Sequence, residues 1–395
     1  MILETEMIII KKIMLTIVVP AYNVENYIEQ CLNSLINQTD KDFQIILIDD
    51  GSTDNTANIC KKYESESNGL IKYIYQENQG LGAARNAGLK YVDTPYVSFL
   101  DSDDWQDIRF VEKLKRHMES LDFEPDLIFT LPQCYNEASH MLEHWMDKPL
   151  YDVIFEVSHN ISNKVLNVEN CPELYCLEVN ANRRIYRTDF LLENNFSFPV
   201  GVKWEDIRPH VQLLHNAKNV VALPDTGFYY RTNVSGQITA GTGEGRLDFI
   251  SVFQDVLHQI EQDVYSDDEL AQILSLMCKF SFWMIDMTNI DYVQTLLHGL
   301  HGVFMEIPDK MIQAFSEYEW QDKEERNKKE AFVAWMRSPR YLQLMTYEER
   351  DNMYRYWKLH GAPSGNILSR GIQCIKDSGL KYTIGLIFRK MIKQV

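Results

Sequence analysis

Between Phe99 and Trp105 the chain reads FLDSDDW, which sets Asp101, Ser102, Asp103 and Asp104 side by side. Carboxylates this close repel one another unless something positive holds them. Two of them spaced Asp-x-Asp can grip one divalent cation, and an all-oxygen donor set favours Mg2+ or Mn2+. The same residues also suit a helix start, with Asp103 or Asp104 capping a helix from about Gln106. Other short stretches carry compatible chemistry. In AYN (21–23), Tyr22 can stack on a base. In DDGSTD (49–54), Asp49 or Asp50 can accept a hydrogen bond from a base N–H, although the stretch also reads as a strand-to-helix turn with redundant caps. In ENQGLGAARNAGL (77–89), Arg85 can pair with a phosphate or with an acid, or stand as a surface cation on a helix.

The elements that position these residues follow from hydrophobic spacing. LTIVV (15–19), FQIILI (43–48), IKYIY (71–75) and YVSFL (96–100) read as strands, with Pro20 ending the first. Val24, Tyr27, Ile28, Cys31, Leu32, Leu35 and Ile36 recur at helical spacing and predict a helix over 24–37. Asp50, Ser52 and Asp54 are all able to cap a second helix running to about Tyr63, and a third spans Gly80 to Tyr91. Strands alternating with helices imply a parallel sheet covered on both faces. Its ligands bind outside the carboxyl ends of the strands, and AYN, DDGSTD and FLDSDDW all fall on that rim.

Composition narrows the field. The 395 residues suffice for two or three domains, and 45% hydrophobic with 24% charged residues is ordinary for a globular core. A net charge of −18 argues against broad nucleic-acid binding, so an anionic substrate has to be held by a metal or a few local cations. The 7 cysteines are scattered, without a zinc-like spacing, and suit reduced thiols in a cytosol. Glu4, Glu6, Lys11 and Lys12 break the apolar start, so it reads as a first strand rather than a signal peptide. No run of 18 apolar residues suggests a membrane span. The first strand lacks the Gly-x-Gly-x-x-Gly of a dinucleotide fold.

The succession VVPAYN, ILIDDGSTDNT, ENQGLGAARNAGL and VSFLDSDDW resembles glycosyltransferase family 2, strongly over about residues 14–115 and onward through 183–239. The resemblance implies an α/β catalytic domain of GT-A fold, Rossmann-like with a mostly parallel sheet and flanking helices, over residues 1–240. A mainly helical domain over 241–395 is expected to follow. It also implies transfer of a sugar from a nucleotide sugar, usually a UDP-sugar, with inversion at the anomeric carbon. By the same resemblance Pro20, Ala21, Tyr22, Asn23, Asp49 or Asp50, and Ser52 line the nucleoside pocket. Gln79, Gly80, Arg85 and Asn86 lie near the ribose, diphosphate or donor sugar. Asp101 and Asp103, with Ser102 between them, form a DxD motif in which Asp103 is the direct Mn2+ or Mg2+ ligand.

A base on the opposite sugar face is needed for in-line attack by an acceptor hydroxyl. In WED (204–206) the family position of that base falls on Asp206, with Glu205 beside it. The pair also reads as the first turn of a helix. His210, one helical turn on, either touches the acceptor or diphosphate or is a helix-surface histidine. In GFYYRTNVSGQIT (227–239), Tyr230, Arg231 and Ser235 match a family stretch in which Arg231 clamps the diphosphate as a flexible loop closes. The QxxRW motif of processive members is missing, which points to formation of a single linkage. Acceptors implied by the family are glycans, lipid-linked or polyol-phosphate chains, or glycoproteins of the bacterial surface, reached from the cytoplasm or the inner membrane face. A nucleotidyltransferase that releases pyrophosphate, and a non-catalytic sugar-binding scaffold, are the rival readings. The segment 364–395 carries six Lys or Arg against Asp377 alone, beside an apolar helical stripe. It either lies on an anionic membrane or packs on the helical domain or a second subunit.

Overall fold

A computed structural model describes residues 14–160, 165–234 and 237–338. These divide into two compact units, the first taking residues to Gly241 together with Ser251–Ile273, the second the remainder. The basic segment 364–395 and Ser235 lie outside the described residues.

The first unit opens with the anticipated alternation: β1 (Leu15–Ala21), α1 (Ile28–Ile36), β2 (Phe43–Asp50), α2 (Thr56–Glu66), β3 (Ile71–Gln76), α3 (Leu81–Leu89) and β4 (Tyr96–Phe99). There follow β5 (Trp105–Gln106), α4 (Phe110–Glu119), β6 (Leu127–Asn136), β7 (Met141–His144), α5 (Lys148–Asn160), β8 (Arg184–Arg187), α6 (Thr188–Glu193), α7 (Ile207–Asn216) and β9 (Val220–Thr232). The strands form one mixed sheet in the order β3-β2-β1-β4-β8-β6-β9-β5, with β7 hydrogen-bonded to β6. β1 to β4 are parallel, and every residue of β1 is buried because helices cover both faces.

Three local expectations are corrected. Helix α1 starts at Ile28 rather than residue 24; Ile28, Cys31, Leu32 and Leu35 form its buried stripe, while Val24 sits in the preceding turn. Pro20 does not end β1, which runs on to Ala21. The pairing with β4 stops at Val18↔Phe99, so the missing N–H of Pro20 costs no ladder bond there. The acidic cluster does not cap a helix at Gln106. That residue pairs in β5 with Phe228, and α4 begins at Phe110. The stretch 133–170 holds the end of β6, the hairpin to β7, and α5.

After the sheet come α8 (Asp248–Gln262), α9 (Asp267–Met287), α10 (Ile290–Glu306), α11 (Asp309–Glu317) and α12 (Lys323–Met336). In the second unit Asn289 and Asp322 cap α10 and α12 with their side chains. A Cβ on Gly299 would fall 2.0 Å from the Ile250 side chain, which would have to shift to admit it. Among the described residues α9 alone is long and apolar enough to cross a membrane, and 67% of its apolar window is buried, as in a core helix.

Candidate active site

The rim at the carboxyl ends of β1, β2 and β4 is assembled by side chains closing on backbone. The Asn23 carboxamide oxygen accepts from Thr53 N at 2.8 Å, and Ser52 Oγ accepts from Asn23 N at 3.2 Å, locking the turns after β1 and β2 together. Asn23 is left-handed at φ 50°, a conformation asparagine tolerates. Asp49 accepts from Ser52 N and Tyr73 Oη; Asp50 accepts from Gln76 Nε2, Gln79 N and Gly80 N. Both carboxylates are buried. A base reaching either one must therefore share an oxygen with a donor the protein already supplies. Of the expected caps of α2, only Asp54 accepts from the first helical N–H, that of Thr56. Tyr22 stands exposed beside this rim, while Pro20 and Ala21 are buried beneath it.

Arg85 pairs with one member of the acidic cluster, Asp101, and with the acidic pair that opens α7. It is 1% exposed, and its guanidinium reaches three carboxylates at once. Nη2 donates to Asp101 Oδ1 at 2.8 Å; Nη1 donates to Glu205 Oε1 at 2.6 Å and to Asp206 Oδ1 at 2.9 Å. The ring of Phe198 lies 5.2 Å from the guanidinium. Helix α3 that carries Arg85 is itself clamped, since Asn86 exchanges two hydrogen bonds with the backbone of Phe198, and a Cβ on Gly82 would fall 2.2 Å from the Pro199 carbonyl oxygen. Asn86 is thus committed to this clamp.

One cation against three carboxylates leaves an excess of negative charge. Burial would lower the proton affinity of Arg85, but Asp206, Asp101 and Glu205 together raise it. Burial and then the neighbouring Asp206 push Glu205 up to about 7, against the pull of Arg85. Burial raises Asp206 as well, opposed first by Arg85. Glu205 therefore keeps a proton in the folded state at pH values where the unfolded chain, near 4.5, has lost it. Stability is expected to fall as pH rises through about 4.5 to 7. Glu205→Gln is expected to flatten that slope and to leave the protein more stable than wild type at pH 8. Calorimetric melts of both proteins from pH 5 to 8 measure this, and parallel curves would contradict it.

The DxD segment is pinned from its other side. Asp104 is buried; its Oδ1 accepts from Arg231 N at 2.9 Å and its Oδ2 from Asn182 Nδ2 at 3.2 Å. Arg231 Nε donates to the Asp103 carbonyl at 2.8 Å, and its guanidinium also bonds Glu137 and Gln30 among the rings of Tyr27, Trp105 and Tyr135. Trp105 stacks on Tyr229 at 5.2 Å. Arg231 is thus a buried brace in β9 rather than a clamp on a flexible loop, because the aromatic walls and four polar partners commit it. Asp104, Asn182 and Glu137 were not singled out by spacing; only the third acid of DSDD hinted at Asp104.

The donor set suits a hard divalent ion that draws its remaining ligands from a substrate. Asp103 is half-buried, and burial followed by Asp101 raises it to about 6, so its charged form lacks a sufficient counter-cation. Asp101 keeps one oxygen beyond the one Arg85 uses, whereas Asp104 is turned inward. Among the described residues no group of three or more His, Cys, Asp or Glu side chains is placed to hold a metal ion, so a cation at this rim would rest on Asp103 and Asp101.

Other expected residues fall in mixed places. Ser102 is buried. Gln79 and Gly80 are exposed at the start of α3. Trp204 adopts φ 67°, an unusual conformation for a bulky residue, immediately before the acidic pair. Tyr230 bonds Thr239 and packs edge-on to Trp145. His210 is no surface histidine: it is buried, takes a hydrogen bond from Arg184 on Nδ1 and donates through Nε2 to the Tyr175 carbonyl at 2.9 Å.

A parallel-to-mixed sheet with an Asp-x-Asp after β4 and an acidic pair opening α7 defines a GT-A glycosyltransferase fold. Residues 16–147 match the family model of glycosyl transferase family 2. It is 41% identical over 143 residues to glycosyltransferase GlyA of Streptococcus pneumoniae serotype 4, covering 36% of this chain and 20% of that protein. It is 27% identical over 278 residues to the poly(ribitol-phosphate) beta-N-acetylglucosaminyltransferase TarS of Staphylococcus aureus strain MW2, covering 67% of this chain and 44% of TarS. The chain thus spans less than half the length of these relatives. The fold is similar to that of S. aureus TarS 1–349 in complex with UDP-GlcNAc, with a TM-score of 0.61, 20% identity, and coverage of 85% of this chain and 93% of that one.

Proposed function

We propose that the chain is an inverting, metal-dependent glycosyltransferase that moves a sugar from a UDP-sugar to a hydroxyl of a glycan, polyol-phosphate or glycoconjugate acceptor in bacterial surface-polymer assembly. One observation carries this reading: Arg85 holds Asp101 of the DxD and Asp206 of the WED on the same guanidinium, although 105 positions separate them in sequence. A group for the leaving side and a group for the attacking side are thereby fixed to one another. The relatives' names favour a UDP-sugar and a teichoic-acid-like acceptor.

Asp103, with Asp101 behind it, would hold a divalent cation, which supplies charge neutralisation for the departing diphosphate. Asp206 is the proposed base. The acceptor oxygen forms its bond to the anomeric carbon as the bond to the phosphate oxygen breaks, and the hydroxyl proton passes to Asp206. Burial raises the proton affinity of Asp206, which helps it accept that proton. Its side chain is 17% exposed against 6% for Glu205, so the acceptor reaches Asp206 more readily. Arg85 and the Ala181 N–H, 3.1 Å from Asp206 Oδ2, fix the carboxylate's direction. The rim of buried Asp49 and Asp50 with exposed Asn23 and half-buried Ser52 shapes the place for a nucleoside, with Tyr22 free to stack on its base. We further assign residues 1–240 as the catalytic domain and 241–395 as a helical accessory domain.

A panel of nucleotide sugars, scored for hydrolysis with Mn2+ present, tests the activity. Asp206→Asn is expected to keep UDP-sugar binding while slowing transfer by about 10²-fold or more. Unimpaired transfer in that variant would move the base to Glu205, and silence of the whole panel would count against the activity itself.

A further inference from the structure

Asp101, Asp103 and Asp104 share one turn, closed by the Asp104 N–H on the Asp101 carbonyl, yet each is held by a different kind of partner. Asp101 accepts from the Arg85 guanidinium, and buried Asp104 from Arg231 N and the Asn182 amide. Asp103 is met by Gln237. The half-buried Gln237 side chain hydrogen-bonds the Asp103 carboxylate, and its Nε2 donates to the Arg231 carbonyl at 2.5 Å. Only the amide nitrogen of a glutamine donates, and it carries two hydrogens, so one Nε2 can serve both partners.

Gln237 thereby completes a bracket around the acidic turn that starts from Arg231. The Arg231 N–H goes to Asp104, its Nε to the Asp103 carbonyl, and its own carbonyl, through Gln237, to the Asp103 carboxylate. The segment that carries Gln237 is fastened as well, since Thr239 Oγ1 lies 3.3 Å from Tyr230 Oη. All of these residues belong to the first unit.

The neutrality of this partner decides what it can do. A guanidinium or ammonium in its place would satisfy the charge of Asp103 and compete with a divalent ion. An amide donates a hydrogen bond without adding charge. It fixes the direction of the carboxylate and leaves the negative charge, and further lone pairs, for a cation. Asp101 already shares the charge of Arg85, and Arg231 spends its hydrogen bonds on the Asp103 carbonyl, Glu137 and Gln30. The DxD thus presents one carboxylate paired with an internal cation and one aimed by a neutral amide. We infer that Gln237 is a positioning residue that orients Asp103 toward a divalent cation and the diphosphate which that cation neutralises. The inference rests on the proposed role of Asp103 in holding the cation.

Electron paramagnetic resonance of Mn2+ titrated into the full chain, with and without UDP, tests it. Gln237→Met keeps the length of the side chain and deletes the amide. It is expected to weaken Mn2+ binding about 10–100-fold, the usual loss when a partner behind a metal ligand is removed, while its melting curve stays that of a folded protein. Gln237→Lys offers Asp103 a fixed charge instead and is expected to lose at least as much. Thr239→Val loosens the same segment without removing the partner of Asp103, and is expected to bind Mn2+ as the wild type does. Wild-type affinity in Gln237→Met or Gln237→Lys would overturn the inference. So would an equal loss in Thr239→Val, which would assign the effect to the segment rather than to the amide. If the wild type binds no Mn2+, or Asp103→Ala binds it equally well, the metal reading itself fails and this inference with it.

Discussion

Arg85→Met is expected to cost ~3–5 kcal/mol of stability and to remove transfer activity by about 10²-fold or more. The substitution keeps much of the side-chain volume but leaves Asp101, Glu205 and Asp206 facing one another without their shared cation. Some of the loss is recovered by proton uptake. Without the cation the carboxylates hold protons more tightly folded than unfolded, so the variant's deficit shrinks as pH falls. Arg85→Lys separates charge from geometry. A lysine restores a positive point charge but not a planar fork spanning three acceptors, so stability is expected to return in part while transfer stays low. Urea unfolding at pH 5 and 8, paired with transfer rates, reads both effects. A methionine variant as stable and active as wild type would show that Arg85 positions nothing.

Asp103→Ala is expected to weaken Mn2+-dependent UDP binding by more than about 100-fold, because even residues behind a metal ligand commonly change affinity 10–100-fold. The fold is expected to survive. Burial and the Asp101 charge already disfavour the ionised form of Asp103, so deleting it removes a cost rather than a support. Asp104→Ala should behave in the opposite way, losing stability because Arg231 N and Asn182 both depend on that carboxylate. Titration calorimetry of UDP with and without Mn2+, beside thermal melts of each variant, distinguishes the two aspartates. If Asp103→Ala binds UDP–Mn2+ as tightly as wild type, the metal assignment fails.

The parallel half of the sheet was legible because β1 to β4 are short apolar runs, each followed by a polar turn, with a helix after each of β1, β2 and β3. The convergence of AYN, DDGSTD and DSDD on one rim followed from that alternation. The antiparallel half was not legible. β8 is the four-residue RIYR, whose two outer arginines hide a strand, and its position between β4 and β6 depends on pairing with both neighbours. The sequence allowed Arg85 an acid, a phosphate or solvent, and spacing alone had no means to choose. The choice lies in Glu205 and Asp206, 120 and 121 residues away. By family position Arg231 is a clamp on the diphosphate, and spacing leaves His210 as an acceptor or diphosphate contact or a helix-surface histidine. Here both are buried among aromatic rings and polar partners that come from distant segments.

The order of the strands has a consequence for how the protein is made. Residues 16–147 are the stretch shared with the family, yet β8 at 184–187 is the piece that joins β4 to the rest of the sheet. A nascent chain that has emerged only through residue 147 presents β4 with one edge open to any other strand, and a guanidinium at Arg85 with a single carboxylate, Asp101, in reach. Both defects close only when residues 184–206 arrive. That closure is long-range, the slow kind, and the waiting edge is the kind that aggregates. A fragment ending at residue 147 is thus expected to lack the second neighbour of β4 and two of the three carboxylates on Arg85, and the candidate site is complete only with the stretch that seals the sheet.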